Sequence, residues 1–171
     1  NTSIFKLQLI VTGGHLLTEQ GYTIENIKND GFNIDEIIDV KLDTTNKQTI
    51  ASSMGRLSEN IASAYERLNP DLLVVLGDRY ELLSICSTAF IMRIPIAHIS
   101  GGDITEGAID DGVRNAVTML ATYHFPGTVD SAQNIKRMIN SNKNIWTVGE
   151  PGLDAFNRLS LLSRNEISDL L

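Results

Sequence analysis

The run Asp71-Leu-Leu-Val-Val-Leu-Gly-Asp78 carries five consecutive apolar residues and no polar alternation. A strand of that kind suits a parallel sheet covered on both faces, because each face must find apolar cover. Similar runs recur along the chain, at Phe5–Thr12, Asp35–Leu42, Ile94–Ser100, a short Tyr-His-Phe-Pro-Gly-Thr stretch and Asn144–Glu150. Between them lie helix-like segments. From Lys47 to Leu68, Ile50, Met54, Leu57, Ile61, Ala64, Tyr65 and Leu68 recur in steps of three and four, and Asn69-Pro70 closes the pattern. Gly21–Gly31, Tyr80–Met92, Asp110–Thr122 and Ser131–Asn140 read as further helices, and Leu153–Leu171 reads as helical in pieces. Alternating strand and helix predict an α/β fold with a mainly parallel sheet and right-handed crossovers.

In such a sheet the ligand crevice lies outside the carboxyl ends of the strands. Gly13-Gly14-His15, Gly77-Asp78-Arg79, Ser100-Gly101-Gly102-Asp103, Gly127-Thr128 and Gly149-Glu150 all follow strand-like runs, so they are expected along one edge. Two readings of Asp78 are open: a cap for the next helix, or an acid pointing into the crevice. The segment His98–Asp111 packs Asp103, Glu106, Asp110 and Asp111 beside two glycines. Its plain reading is a solvated loop before an acid-rich helix start, which suits the helix dipole. Arg114 lies four residues after Asp110, the spacing of a helix-surface ion pair. His15, His98 and His124 each have a structural reading.

Composition narrows the function. A length of 171 residues fits one domain, and 42% hydrophobic content allows a sizeable core. A net charge of −7 argues against a nucleic-acid partner. The single cysteine, Cys86, excludes an internal disulfide and reads as a buried thiol. No signal peptide or membrane-length apolar run is read, so a cytoplasmic protein without a membrane partner is expected. Asn1 opens almost directly on a strand and is not expected to be the natural start. The histidines lack zinc-motif spacing, and no GxxxxGK[ST], GxGxxG or GxSxG pattern is present, so no metal and no nucleotide cofactor are expected.

The stretch from Gly77 to Phe125, with its GDR, its "AHI-x-GG" strand end, its "TEGAIDD" and Arg114 three residues after Asp111, resembles the UDP-N-acetylglucosamine 2-epimerase family. It looks most like the hydrolysing branch that serves sialic acid biosynthesis. "VTGGHLL", "RLNPDLLVVLGD" and "VGEPGLD" extend the likeness over nearly the whole chain. The resemblance implies one half of a glycosyltransferase-B-type fold, with residues 1–171 as an N-terminal Rossmann-like domain carrying helices on both sheet faces. The family's opening strand, with its active-site arginine turn, and its C-terminal UDP-binding domain are then absent from this chain. A sheet without that strand is expected to expose two strand edges.

The implied reaction converts UDP-N-acetylglucosamine and water to N-acetylmannosamine and UDP. It proceeds through an anti-type elimination to 2-acetamidoglucal. Carboxylates tuned by their surroundings serve such proton transfers. The resemblance implies catalytic roles for Asp78, Asp110 and Asp111, and Asp103 and Glu106 on the neighbouring loop are added as catalytic candidates. It implies sugar-nucleotide contacts for His15, Arg79, His98, Ser100, Gly101, Gly102 and Arg114. Many members carry a catalytic glutamate where this chain has Ser100, and serine is no substitute for a carboxylate at neutral pH. Asp103 or Glu106 is expected to take over, or the sugar differs, as in an epimerase for a modified UDP-sugar. A non-catalytic sugar-nucleotide-binding module is the alternative of another class. The resemblance further implies a UDP-sugar partner, the missing C-terminal domain as the other wall, a homo-oligomer, and little or no activity for these residues alone.

Overall fold

A computed structural model describes residues 4–105 and 109–158. Five parallel strands form: β1 (Ile10–Thr12), β2 (Glu36–Ile38), β3 (Leu73–Leu76), β4 (Ile96–Ile99) and β5 (Tyr123–Phe125). Six α-helices are seen among the described residues: α1 (Ile24–Asn29), α2 (Lys47–Leu68), α3 (Glu81–Ile91) and α4 (Ile109–Leu120) between the strands, then α5 (Val129–Ile139) and α6 (Pro151–Arg158) after β5. The helix read from Leu153 onward is thus seen as α6, and its continuation lies outside the described residues. Residues 13–16 and 18–20 form short 3₁₀ turns after β1. The α/β class with a parallel sheet is therefore observed.

α2 is bounded by its own side chains. Asn46 Oδ1 accepts from the amides of Gln48 (2.9 Å) and Thr49 (3.0 Å), and Thr49 Oγ1 accepts from the Asn46 amide at 3.3 Å. This capping box satisfies orphan amides of the first turn. At the other end Asn69 turns left-handed (φ 43°) before Pro70. The apolar stripe of α2 buries Leu57, Ile61, Ala64 and Tyr65 against Val75, Cys86, Ala89, Ile96, Val113 and Val117. The Tyr65 hydroxyl donates to the Ile85 carbonyl at 3.2 Å, which satisfies the one polar atom the ring brings inside. Burial pushes the Cys86 thiol up to about 12, so it behaves as an apolar core residue.

The strands lie in two sheets. β1 pairs with β2, and β3–β4–β5 form the other, with β1 and β3 unpaired to each other. β1 is accordingly short, three residues where the sequence predicts eight. The last predicted strand is reduced to a bridge between His124 and Ile145, continued by Val148 N donating to Pro126 O at 3.0 Å. Strand order advances in one direction from β3 to β5, so right-handed crossovers put α3 and α4 on one face. On the opposite face Val74 and Leu76 are 58% and 57% exposed, and Trp146 stacks on Phe125 at 5.5 Å between centroids. Among the described residues no helix is long and apolar enough to cross a membrane.

His98 and His124 lie side by side in the β4–β5 register, and both are buried. Burial lowers the pKa of each, His124 to about 4, with the neighbouring His98 adding to that shift; Arg114 lowers His98 further, against the raising effects of Gly77 and Asp78. A histidine whose folded pKa lies below its unfolded value of about 6.5 contributes stability above pH 6.5 and loses it as pH falls towards 4. Unfolding free energy is therefore predicted to fall by roughly 3 kcal/mol over that window from His124 alone. Urea midpoints of wild type and His124→Leu measured from pH 7.5 to 4.5 check this: the variant's decline should be shallower. Equal slopes would contradict it.

Candidate active site

The carboxyl ends of the strands gather as the sequence predicts. Gly77 N donates to Ile99 O at 3.1 Å, and Ser100 N donates to Phe125 O at 3.0 Å. These bonds and the Val148–Pro126 bond align the residues after β3, β4, β5 and the Ile145 segment in one row, about 4.8 Å per step.

Arg114 organises the centre of that row. The inward face of α4 buries Val113, Arg114, Val117 and Thr118, so the arginine is carried inside by its apolar neighbours. Its Nη2 donates to Asp78 Oδ2 and, at 3.2 Å, to Thr105 Oγ1. Its Nη1 donates to Asp111 Oδ1 at 2.6 Å and to the Asp103 carbonyl at 2.9 Å. Asp111 Oδ1 also accepts from the Thr105 amide at 2.8 Å, so the loop after β4 is tied to the same cluster. The Arg114 side chain is 7% exposed, against 30% for Asp78 and 28% for Asp111. One cation thus fixes two carboxylates whose remaining faces reach solvent, an arrangement suited to proton transfer. Asp78 is not a helix cap: α3 is preceded by Tyr80 with no side-chain cap. Nor is Arg114 a surface partner of Asp110, since it bonds Asp111 and Asp78 instead. Asp110 lies half-buried at the start of α4, beside the cluster.

The other predicted residues divide. Asp103 turns its carboxylate to Ser131, which bonds Thr128 Oγ1 at 2.6 Å at the start of α5. Only its carbonyl joins the Arg114 cluster. Gly102 has φ +83°, and a Cβ there would run into the Ser131 carbonyl, so the close approach of loop and α5 requires glycine. Glu106 lies outside the described residues. His98 is fully buried; Nε2 donates to the Gly77 carbonyl (2.9 Å) and Nδ1 accepts from the Thr118 hydroxyl (3.2 Å). Both ring nitrogens are occupied within the chain, so His98 shapes the Gly77–Asp78 turn where the sequence suggests a sugar contact. Gly101 packs on that ring, its would-be Cβ 2.9 Å from Nδ1. His15 is exposed, with Nδ1 2.7 Å from Thr23 Oγ1.

Arg79 stands near the β1 turn and forks onto Glu81, Nε to Oε2 at 3.2 Å and Nη2 to Oε1 at 2.9 Å. The Glu81 hydrogen bond, foremost, raises the pKa of this guanidinium. Gly13 lies against Glu81, a would-be Cβ falling 2.8 Å from Oε1, so the pair buttresses the glycine turn. Ser100, at φ +58°, donates its hydroxyl to Glu150 Oε2 at 2.7 Å. Glu81 is a site-lining acid that the sequence does not single out, and Glu150 is one for which the sequence gives a place on this edge but no role. Only the position of Glu150 directly after a strand-like run signals it. Among the described residues no three His, Cys, Asp or Glu side chains converge as a metal-ligand set.

Comparison with known proteins adds a family to this geometry. A family model described as UDP-N-acetylglucosamine 2-epimerase matches residues 1–171. The chain is 31% identical over 171 residues to the GDP/UDP-N,N'-diacetylbacillosamine 2-epimerase (hydrolyzing) of Campylobacter jejuni, covering 100% of this chain and 44% of that protein. It is 37% identical over 148 residues to the UDP-N,N'-diacetylbacillosamine 2-epimerase (hydrolyzing) of Legionella pneumophila, covering 86% of this chain and 39% of that one. The fold matches the crystal structure of UDP-GlcNAc 2-epimerase from Neisseria meningitidis bound to UDP-GlcNAc with a TM-score of 0.74 at 20% identity, over 91% of this chain and 42% of that one. The chain spans less than half the length of these relatives.

Proposed function

Since the chain belongs to the UDP-N-acetylglucosamine 2-epimerase family, we propose that it forms the N-terminal wall of the cleft of a hydrolysing sugar-nucleotide 2-epimerase. The observation that carries this is the fixing of Asp78 and Asp111 by one buried arginine at the carboxyl ends of the strands. Epimerisation at carbon two removes a weakly acidic proton while UDP departs from the neighbouring anomeric carbon. The 2-acetamidoglucal so formed then takes up water. Asp78 and Asp111, with Asp110 beside them, supply the carboxylates for these transfers, and Arg114 holds their geometry. Preset geometry matters because a misplaced base forfeits much of the advantage of proximity. The opposite wall comes from the length that the relatives have beyond this chain. Residues 1–171 alone are therefore expected to release no UDP, since they neither enclose the sugar nor exclude water.

Two substrates are in view. UDP-N-acetylglucosamine follows from the family. A diacetylated UDP-sugar is favoured by the names of the 31% and 37% identical relatives, both hydrolysing UDP-N,N'-diacetylbacillosamine epimerases. Incubating the full-length protein with each sugar nucleotide, and measuring UDP together with the 2-epimeric free sugar, decides between them. Release of both products from one substrate supports the proposal and names the sugar. Binding without product from either would overturn it in favour of a binding module.

A further inference from the structure

Glu150 is a carboxylate that the Arg114 cluster does not use. It follows the Ile145 segment at the end of the strand row and precedes α6, yet it does not serve that helix as a side-chain cap. Leu153 N bonds the Glu150 backbone carbonyl at 3.0 Å, while the side chain crosses to the end of β4 and takes the Ser100 hydroxyl. Ser100 occupies the left-handed region at φ +58°, a conformation that costs a non-glycine residue energy and persists only where its surroundings impose it. The far oxygen, Oε1, is buried and has no hydrogen-bond partner among the described residues. Gly127 makes room for it, because a Cβ there would overlap the carboxylate. A structural glutamate would be matched by a cation or by amides. An orphaned buried carboxylate oxygen is costly and calls for an explanation.

We propose that Ser100 and Glu150 form a proton relay in the cleft. Ser100 Oγ accepts a proton from the attacking water as the water oxygen bonds the anomeric carbon and a protonated carboxyl of the Arg114 cluster gives its proton to carbon two, and Ser100 passes its own proton to Glu150 Oε2. One O–H bond breaks at the donor, the serine exchanges one for another, and Glu150 ends protonated. The reverse passage returns the proton. Ser100 is half-buried at the end of β4, about one strand spacing from the β3 end that carries Asp78, so both reach one substrate. Glu150 acts through Ser100 and is a positioning residue.

The relay rests on the epimerase reading, and the test separates the two. In the full-length protein, Glu150→Gln should lower kcat about 100-fold with KM nearly unchanged, and should change the acidic limb of the kcat–pH profile, leaving the part that the Arg114 cluster carboxylates set. Glu150→Asp should restore part of the rate. Ser100→Ala should match the loss, and the double variant should lose no more, as for groups that act as a unit. If thermal melts show Glu150→Gln unfolded, Ser100→Ala alone decides by the same rate and pH profile. Active wild type with wild-type kcat and pH profile in the folded variants would overturn the relay alone. A wild type that turns over neither sugar nucleotide would overturn the epimerase reading and the relay with it.

Discussion

Arg114→Met should lower the unfolding free energy of the full-length protein by about 2–3 kcal/mol and abolish measurable turnover. The guanidinium is 7% exposed and donates to Asp78, Asp111, Thr105 and the Asp103 carbonyl. Removing one member of a buried ion pair leaves its partners with charge and no counterion, which typically costs 3–5 kcal/mol. Here Asp78 and Asp111 keep about 30% exposure and can rehydrate, so the loss falls at or below the lower end of that range. Methionine retains most of the side-chain length, so little cavity remains and the loss reports charge and hydrogen bonding. The loop from Gly101 to Thr105 loses its tether at the same time. Urea unfolding checks the stability, and UDP release checks the rate. An Arg114→Met protein of wild-type stability would show that the cluster is incidental.

Asp78→Asn should behave differently. The amide keeps the shape and still presents an oxygen to Arg114 Nη2, so stability should change by less than about 1 kcal/mol. It cannot take up a proton, so kcat should fall about a thousandfold with KM nearly unchanged, within the range for loss of a general acid or base. A variant that unfolds as readily as Arg114→Met would mark Asp78 as structural. A variant with wild-type kcat would remove it from the chemistry. Together the two substitutions separate holding the site from performing in it.

Local pattern made much of this legible. The three-four spacing of α2 and its Asn69-Pro70 stop are properties of neighbouring residues, and the observed Lys47–Leu68 helix matches the predicted bounds. The apolar run of β3 and the glycine after it likewise placed Asp78 at a strand end. The spacing of Arg114 and Asp110 misled, because spacing alone does not say which face of α4 turns inward. Val113 and Val117 settle that, and the pairing with Asp78 spans 36 residues. His98 was legible as a strand-end residue but not as a saturated one, since Thr118 reaches it from another helix. Glu150 meets Ser100 across 50 residues and two crossovers, which no local pattern encodes. The shortness of β1 has a similar origin: a strand extends where partners pair with it, and among the described residues β1 has only β2.

Proton transfer at carbon two is the step that a 2-epimerase cannot do without. The full-length protein should be incubated in deuterated water with the sugar nucleotide it hydrolyses, and the free sugar examined by NMR. Deuterium at carbon two of the epimerised product, formed together with UDP and suppressed in Asp78→Asn, is the predicted outcome. An epimerised product that keeps its original proton at carbon two would contradict the account.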